Sequence, residues 1–300
     1  QLNRWFYGLE HEAWRQHLRG GGFRPMVFLK HGLAIGYLYF CATMAAVGLA
    51  RESQGKTRVL YAMAALWLFV VLALSRNTGA LVIAIFFAPA LALLSRRLLL
   101  FGATVVVLLY LLYPAAQQAH LIPNDRLIST FQKISPDRAR SLQYRFEHES
   151  GLLARAAEKP IFGWGGHGRN MVIDERGRNI SIPDGAWIIR LGKFGWAGYI
   201  SFFGLLTIPL VLLWRRKEIP FATLTLAMIT TANLVYLIPN STLLALTWMI
   251  AGTTVGFLQY APWDGRKAVE PKSVQQRSPG AYSRYPVRAT GNPTRYSRDL

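Results

Sequence analysis

The apolar residues of this chain form long unbroken runs rather than the alternating or 3.6-residue patterns of a soluble core, and nothing else in the sequence limits its fold so tightly. Lipid offers backbone N–H and C=O groups no partner, so a segment inside it must satisfy them internally, and an α-helix needs about 20 apolar residues to cross. Seven such runs stand at 27–50, 59–74, 79–94, 98–113, 186–214, 221–238 and 243–260. With 52% hydrophobic and 16% charged residues, the expectation is an all-α, polytopic integral membrane helix bundle. Spans one to four occupy 27–113, a large, partly helical outer loop covers 114–185, and spans five to seven fill 186–260. Gln1 opens an aromatic, charged stretch with neither an initiator Met nor a signal-peptide pattern, so 1–26 reads as an outer loop of a longer chain.

Charge sets the expected orientation. Lys and Arg number 34 against 15 Asp and Glu, a formal net charge of +19. These cations gather at run ends, in the long loop and in the tail, which suits membrane topology and anionic headgroups and argues against nucleic acid as a partner. Three alternate connectors are basic: Arg51, Lys56 and Arg58; Arg96 and Arg97; and Arg215, Arg216 and Lys217. The opposite turns hold Arg76 alone or, at Pro239-Asn240, no charge. Cytoplasmic loops collect Lys and Arg, so the N-terminal segment and the long loop are expected outside and the tail, 261–300, inside. That tail is rich in Ser, Pro, Gly and Arg and is expected to be disordered. The single cysteine, Cys41, permits neither an intramolecular disulfide nor a cysteine metal site.

Within the long loop, 141–159 has good helix formers, with Leu142, Phe146, Leu152, Leu153 and Ala156 at near-helical spacing. It stops before Pro160, which disfavours helix in the residue ahead of it. Gly163-Trp164-Gly165-Gly166-His167-Gly168 then predicts a close-approach turn. It lacks the Lys-Ser/Thr ending of a nucleotide loop, and Glu147, His148 and Glu149 form no recognisable ligand set. The expectation is no metal, no ATP and no cofactor. Asp184 opens span five, either as an N-cap or as a carboxylate above the apolar face of Trp187, Ile188, Leu191 and Gly195, where burial would raise its pKa. Arg190 lies one to two turns inside that span, where an ionised side chain costs about 2.5–3.5 kcal/mol at mid-bilayer unless it snorkels outward. For Arg145 the plain alternative to a binding role is a surface pair with Glu149, four residues on along the same helix face.

Four pieces of this chain resemble the O-antigen ligase and polymerase family of membrane glycosyltransferases. Ser75-Arg76-Asn77-Thr78-Gly79-Ala80-Leu81 is similar to the family's Ser-Arg-x-Gly-Ala-Leu turn, with one residue more. Arg145, the Leu152-Leu153-Ala154 helix and Lys159-Pro160-Ile161-Phe162-Gly163-Trp164-Gly165 resemble its Arg, helix, Pro-x-x-Gly-x-Gly segment. Asp184-Gly185, nine residues, then Gly195-Trp196-Ala197-Gly198 matches the spacing of its His-Asn, nine residues, Gly-x-x-Gly signature. The large outer loop before that signature also agrees. Asp184 stands where the ligases have His, which favours a polysaccharide polymerase or another oligosaccharide transferase over a lipid A-core ligase.

The resemblance implies action at the periplasmic face of the bacterial inner membrane. The donor is an undecaprenyl-pyrophosphate-linked glycan, the acceptor a glycan or lipid-linked sugar, and cleavage of the lipid pyrophosphate bond supplies the energy. Membrane lipids and polysaccharide assembly or export proteins are the expected partners. Departure of a diphosphate calls for cationic donors, for which arginine's planar fork is suited. Arg76 and Arg145 rank first, with Arg169 and Arg190 behind them. Asp184, or alternatively His167, is the candidate base for the acceptor hydroxyl, and Trp164 and Trp187 are candidates for stacking on sugars. The family's ten or more spans imply further spans upstream. The competing classes are a transporter or flippase for a lipid-linked or anionic solute, and a non-catalytic component of a polysaccharide export complex.

Overall fold

The structure is a computed structural model that describes residues 32–134 and 136–260, preceded by Leu18, Arg19, Gly22, Phe23, Pro25 and Leu29, with 18, 19, 134, 137 and 138 described by their backbone alone. The expected tail lies outside the described residues, as does most of 1–26. From the latter comes a short antiparallel pair, β1 (Leu18–Arg19) and β2 (Gly22–Phe23).

Every apolar run is a helix: α1 (Gly32–Glu52), α2 (Gly55–Leu74), α3 (Thr78–Leu93), α4 (Arg96–Gln118), α7 (Ala186–Leu212), α8 (Phe221–Tyr236) and α9 (Ala245–Tyr260). The long loop adds two more, α5 (Asn124–Ile134) and α6 (Pro136–Ala157). Helix α5 was not expected, and α6 begins five residues earlier than the sequence suggests and ends two residues earlier. Among the described residues, four helices (α1, α2, α4 and α7 with its 3₁₀ extension) are long and apolar enough to cross a membrane. Helix α2 buries only Ala65 and Leu72 and leaves Val59, Leu60, Met63, Leu66 and Trp67 exposed. A face this apolar suits a lipid solvent rather than water, and it marks the chain as a membrane protein.

Helix α8 is the centre of the bundle and is buried on almost every side, packed by α1, α3, α4 and α9. Three of its hydroxyls are paired within the helix and one amide bonds across to a neighbour. The hydroxyls of Thr225, Thr230 and Thr231 donate to carbonyls four residues back, and Asn233 donates to Thr247 on α9 at 2.8 Å. Small and hydroxylated residues of this kind let helices approach where lipid supplies no hydrophobic drive.

Side-chain contacts fix which connectors share an end. Arg51 donates to the Leu91 carbonyl and lies over Phe221, Arg96 donates to the Ile219 carbonyl, and Arg216 donates to the Leu258 carbonyl. The three basic connectors therefore gather at one end of the bundle. At the other end, Asn77 caps α3 through Ala80 and donates to the Tyr236 hydroxyl at 2.9 Å, while the Ala186 N–H donates to the carbonyls of Leu237 and Asn240, each at 3.1 Å. The 75–77 turn and the start of α7 thus meet on the turn that follows α8.

Helix α7 is not the continuous span the sequence predicts. Gly195 has φ 62° and ψ −167°, a conformation open essentially to glycine alone, and it breaks the helix into 186–194 and 196–212. The loop segment 160–165 fills the break. The N–H groups of Trp196 and Ala197 donate to the Pro160 and Ile161 carbonyls at 2.7 and 3.1 Å, and those of Trp164 and Gly165 donate to the Gly192 and Lys193 carbonyls at 2.9 and 2.8 Å. Gly163 (φ 68°) allows the contact, because a Cβ there would lie 2.5 Å from the Gly195 nitrogen. Gly195→Ala and Gly163→Ala should each cost more than about 2 kcal/mol, whereas Gly166→Ala, with open space around it, should stay within about 0.5 kcal/mol. Thermal melts of the three variants in lipid nanodiscs check this.

Candidate functional site

The stripe that docks α6 onto the bundle runs through Leu142, Arg145, Phe146, Glu149, Leu152, Leu153 and Ala156, all buried or half-buried. Helical i, i+3, i+4 spacing puts these residues on one face, and Glu149 is the acid among them, at 7% exposure. The face meets the C-terminal end of α4 and the first turn of α7. A cavity of about 210 Å³ remains between them, with Gln117, His120, Asn124, Phe146, Glu149 and Trp187 in its walls.

Arg145 Nε lies 3.3 Å from Asp184 Oδ2, both side chains being a little over one-third exposed. This ion pair decides two alternatives. Arg145 takes Asp184 as its salt-bridge partner, across the loop, and the N-cap of α7 is Gly185, without a side-chain capping bond. Gly185 is required there, since a Cβ would strike the Ile238 carbonyl and the Trp187 indole. Trp187 is fully buried and meets Tyr113 edge-on at 5.0 Å. Its face is therefore a packing surface, and its Nε1–H has no hydrogen-bond acceptor.

Glu149 carries the altered chemistry. Burial pushes its carboxyl up to about 7, the Arg145 guanidinium pulls it down, the Asp184 charge raises it, and the nearby Trp187 N–H lowers it. The Trp187 N–H is close enough to favour the carboxylate, yet the pair does not meet hydrogen-bond geometry. The indole dipole acts on the carboxylate without a formed hydrogen bond. The sequence argument that burial would tune a carboxylate thus applies to Glu149, while Asp184 and its partner Arg145 are more exposed and do not line the cavity. An acid inside an otherwise docking-face stripe was the signal available in the sequence.

The other candidates lie elsewhere. Arg76, at φ 55°, sits in the turn at the same end of the bundle, with its guanidinium against Gly22. His167 is exposed at φ 60°. Arg169 is exposed and donates to the Gly166 carbonyl at 3.2 Å. The Trp164 ring carries the Arg155 guanidinium 3.4 Å and the Lys159 ammonium 4.1 Å from its centre, so cations occupy the surface expected to stack on sugar. Arg190 does not reach outward freely: its guanidinium lies over the Phe202 ring at 4.0 Å. None of these five residues lines the cavity.

No protein family, curated protein or solved structure matches the chain.

Raising a carboxyl from 4.5 to about 7 makes the folded state hold its proton more tightly than the unfolded state does. Stability from this group is then full at low pH and lost as pH climbs from about 4.5 through 7. At 1.36 kcal/mol per pH unit the loss is on the order of 3 kcal/mol. Glu149→Gln, a mimic of the protonated form, should melt near the wild type at pH 5 and several degrees above it at pH 8. Equal melting temperatures at both pH values would contradict the assignment.

Proposed function

We propose that this protein is a polytopic glycosyltransferase that moves or polymerises a glycan carried on undecaprenyl pyrophosphate at the periplasmic face of a bacterial inner membrane. One observation carries the reading. Three segments that bear the family resemblance, 145–165, 184–185 and 195–198, come together through the Arg145–Asp184 ion pair and the backbone bonds across Gly195. Residues 39 positions apart in sequence thus meet in one place, as a site shared by these segments requires.

In this reading all seven apolar helices cross the membrane, with the basic end of the bundle in the cytoplasm and 114–185 outside. Helices α3, α8 and α9 have 16 residues each and span about 24 Å; their flanking turns and the burial of α8 make up the difference from a bilayer of about 30 Å. Donor lipid enters from the side. Arg145 receives the diphosphate, with Asp184 as the counter-charge that keeps the guanidinium at the cavity rim until substrate arrives. Arg76 is the second cation at this end, and Arg169 and Arg190, next to the helix break, serve the approach of the anionic headgroup. As the acceptor oxygen bonds the anomeric carbon, the bond to the diphosphate breaks and its electron pair leaves with the phosphate. Asp184 and His167 are less suited to take the hydroxyl proton than the sequence implies, one being ion-paired and the other lying on the surface.

A transporter reading draws support from the broken helix α7, since discontinuous helices serve substrate sites in transporters. Purified protein in nanodiscs with a lipid-linked oligosaccharide separates the classes: longer or transferred glycan means glycosyltransferase, altered leaflet distribution in liposomes means flippase. Arg145→Ala should abolish extension while leaving the amount of membrane-inserted protein unchanged; retained extension removes Arg145 from the mechanism. Orientation has its own check. In a Cys41→Ala background, Glu175→Cys should react with an impermeant maleimide after outer-membrane permeabilisation alone, and Lys56→Cys only after the inner membrane is opened.

A further inference from the structure

Two of the residues that line the cavity between α4, α5, α6 and α7 carry buried polar atoms without partners. Trp187 Nε1 is a donor with no acceptor, and Asn124 Oδ1 is an acceptor with no donor. Leaving such a group buried and unpaired costs about 1–3 kcal/mol, so the fold holds them at a loss that a ligand with both donors and acceptors would recover. Gln117, Gln118 and His120 add further polar groups, while Phe146, Leu153 and the alanines supply apolar wall. The space is several times the ~30 Å³ that one water occupies in the liquid. This lining suits a ring that carries hydroxyls on an apolar frame.

We propose that this cavity binds the acceptor sugar and that Glu149 is the base that takes the proton from its attacking hydroxyl, with the Trp187 N–H holding the hydroxyl oxygen. The proposal rests on the glycosyl-transfer reading. One hydroxyl satisfies both protein groups, accepting from the indole and donating to the carboxylate. As its oxygen bonds the anomeric carbon, the proton passes to Glu149, the donor's carbon–oxygen bond breaks, and the electron pair leaves on the diphosphate beside Arg145. Glu149 then loses the proton to water when product departs. The groups facing Glu149 are Arg145 on its own helix, Asp184 ahead of α7, Tyr113 on α4 and His120 at the end of α4. Arg145 and Asp184 are opposed charges paired at 3.3 Å, so Glu149 is left to respond to pH largely through its burial.

The test uses the full chain in nanodiscs with a polyprenyl-diphosphate oligosaccharide donor and soluble acceptor glycan, comparing wild type, Glu149→Gln and Glu149→Asp. Wild-type extension should rise with pH through about 7. Glu149→Gln should lose roughly 10²–10⁴-fold and the pH dependence with it, and Glu149→Asp should recover part of both. Infrared difference spectra should show a protonated-carboxyl band that disappears across the same pH range and is missing from Glu149→Gln. The melting comparison at pH 8 shows whether that variant is folded. Glu149→Gln within about tenfold of wild type, with the same pH profile, overturns the role of Glu149 and leaves the glycosyltransferase standing. A wild type that extends no donor, infrared band present or not, overturns both.

Discussion

Broken main-chain hydrogen bonding cannot be left open inside lipid, and the way this chain closes the gap in α7 determines where everything else lies. At Gly195 the helical ladder stops, and four backbone groups on its two sides find their partners in the loop segment 160–165. All four are thereby paired within the protein, the condition that a lipid solvent imposes on backbone groups. The segment is therefore part of the bundle rather than a loop above it, and it holds the end of α6 against α7. Because α6 is pinned there at one end and by its apolar stripe along its length, Arg145 and Glu149 arrive at the start of α7 in a defined register. The paired glycines, Gly163 and Gly195, are the steric condition for that closure: each has a positive φ, and each lies where a Cβ would meet the other segment's backbone.

Electrostatics then divides labour between two carboxylates near one guanidinium. Asp184, more exposed, pairs with Arg145, and the pair remains open enough to solvent for an incoming anion to compete. Glu149, one turn deeper, has lost most of its water and shares only part of Arg145's field, so its charged form is disfavoured. Two acids in different surroundings, one ion-paired near the surface and one tuned toward neutrality by burial, are a recurrent arrangement for acid–base work at neutral pH. The depth that tunes Glu149 also limits its access to a proton donor that can enter the cavity, which favours a small hydroxylated group over bulk solvent.

Much of this was readable before any coordinates. The seven apolar runs coincide with helices because a long, uninterrupted apolar stretch leaves the backbone little else to do, and the basic connectors cluster at one end because alternate turns of an up-and-down bundle must. Arg145 and Asp184 were both nominated, but not as each other's partner, since the contact spans 39 positions and no local rule reaches so far. Asp184 next to Pro183 looked like a cap; the steric demand at Gly185, imposed by Trp187 and Ile238, moved the cap by one residue. The break at Gly195 was missed because one glycine in an apolar run is usually tolerated within a helix. Only its partnership with Pro160 and Ile161 reveals the need for it. Glu149 was discounted as a surface neighbour of Arg145, although its place in the Leu142, Phe146, Leu152, Ala156 stripe already put it on the docking face. Trp164 was assigned to sugar on its residue type alone, and Arg155 and Lys159 occupy its ring instead.

The central claim is that the diphosphate of a lipid-linked donor is received at Arg145, beside the cavity that holds Glu149 and Trp187. An experimental structure of the protein in nanodiscs with a non-hydrolysable polyprenyl-diphosphate sugar addresses it most directly. The account predicts phosphate density within hydrogen-bonding distance of Arg145, the Asp184 contact loosened or displaced, and the polyprenyl chain leaving sideways between helices. Diphosphate seated at the opposite end of the bundle, among Arg51, Arg96 and Arg216, with the Arg145–Asp184 pair intact, would contradict it.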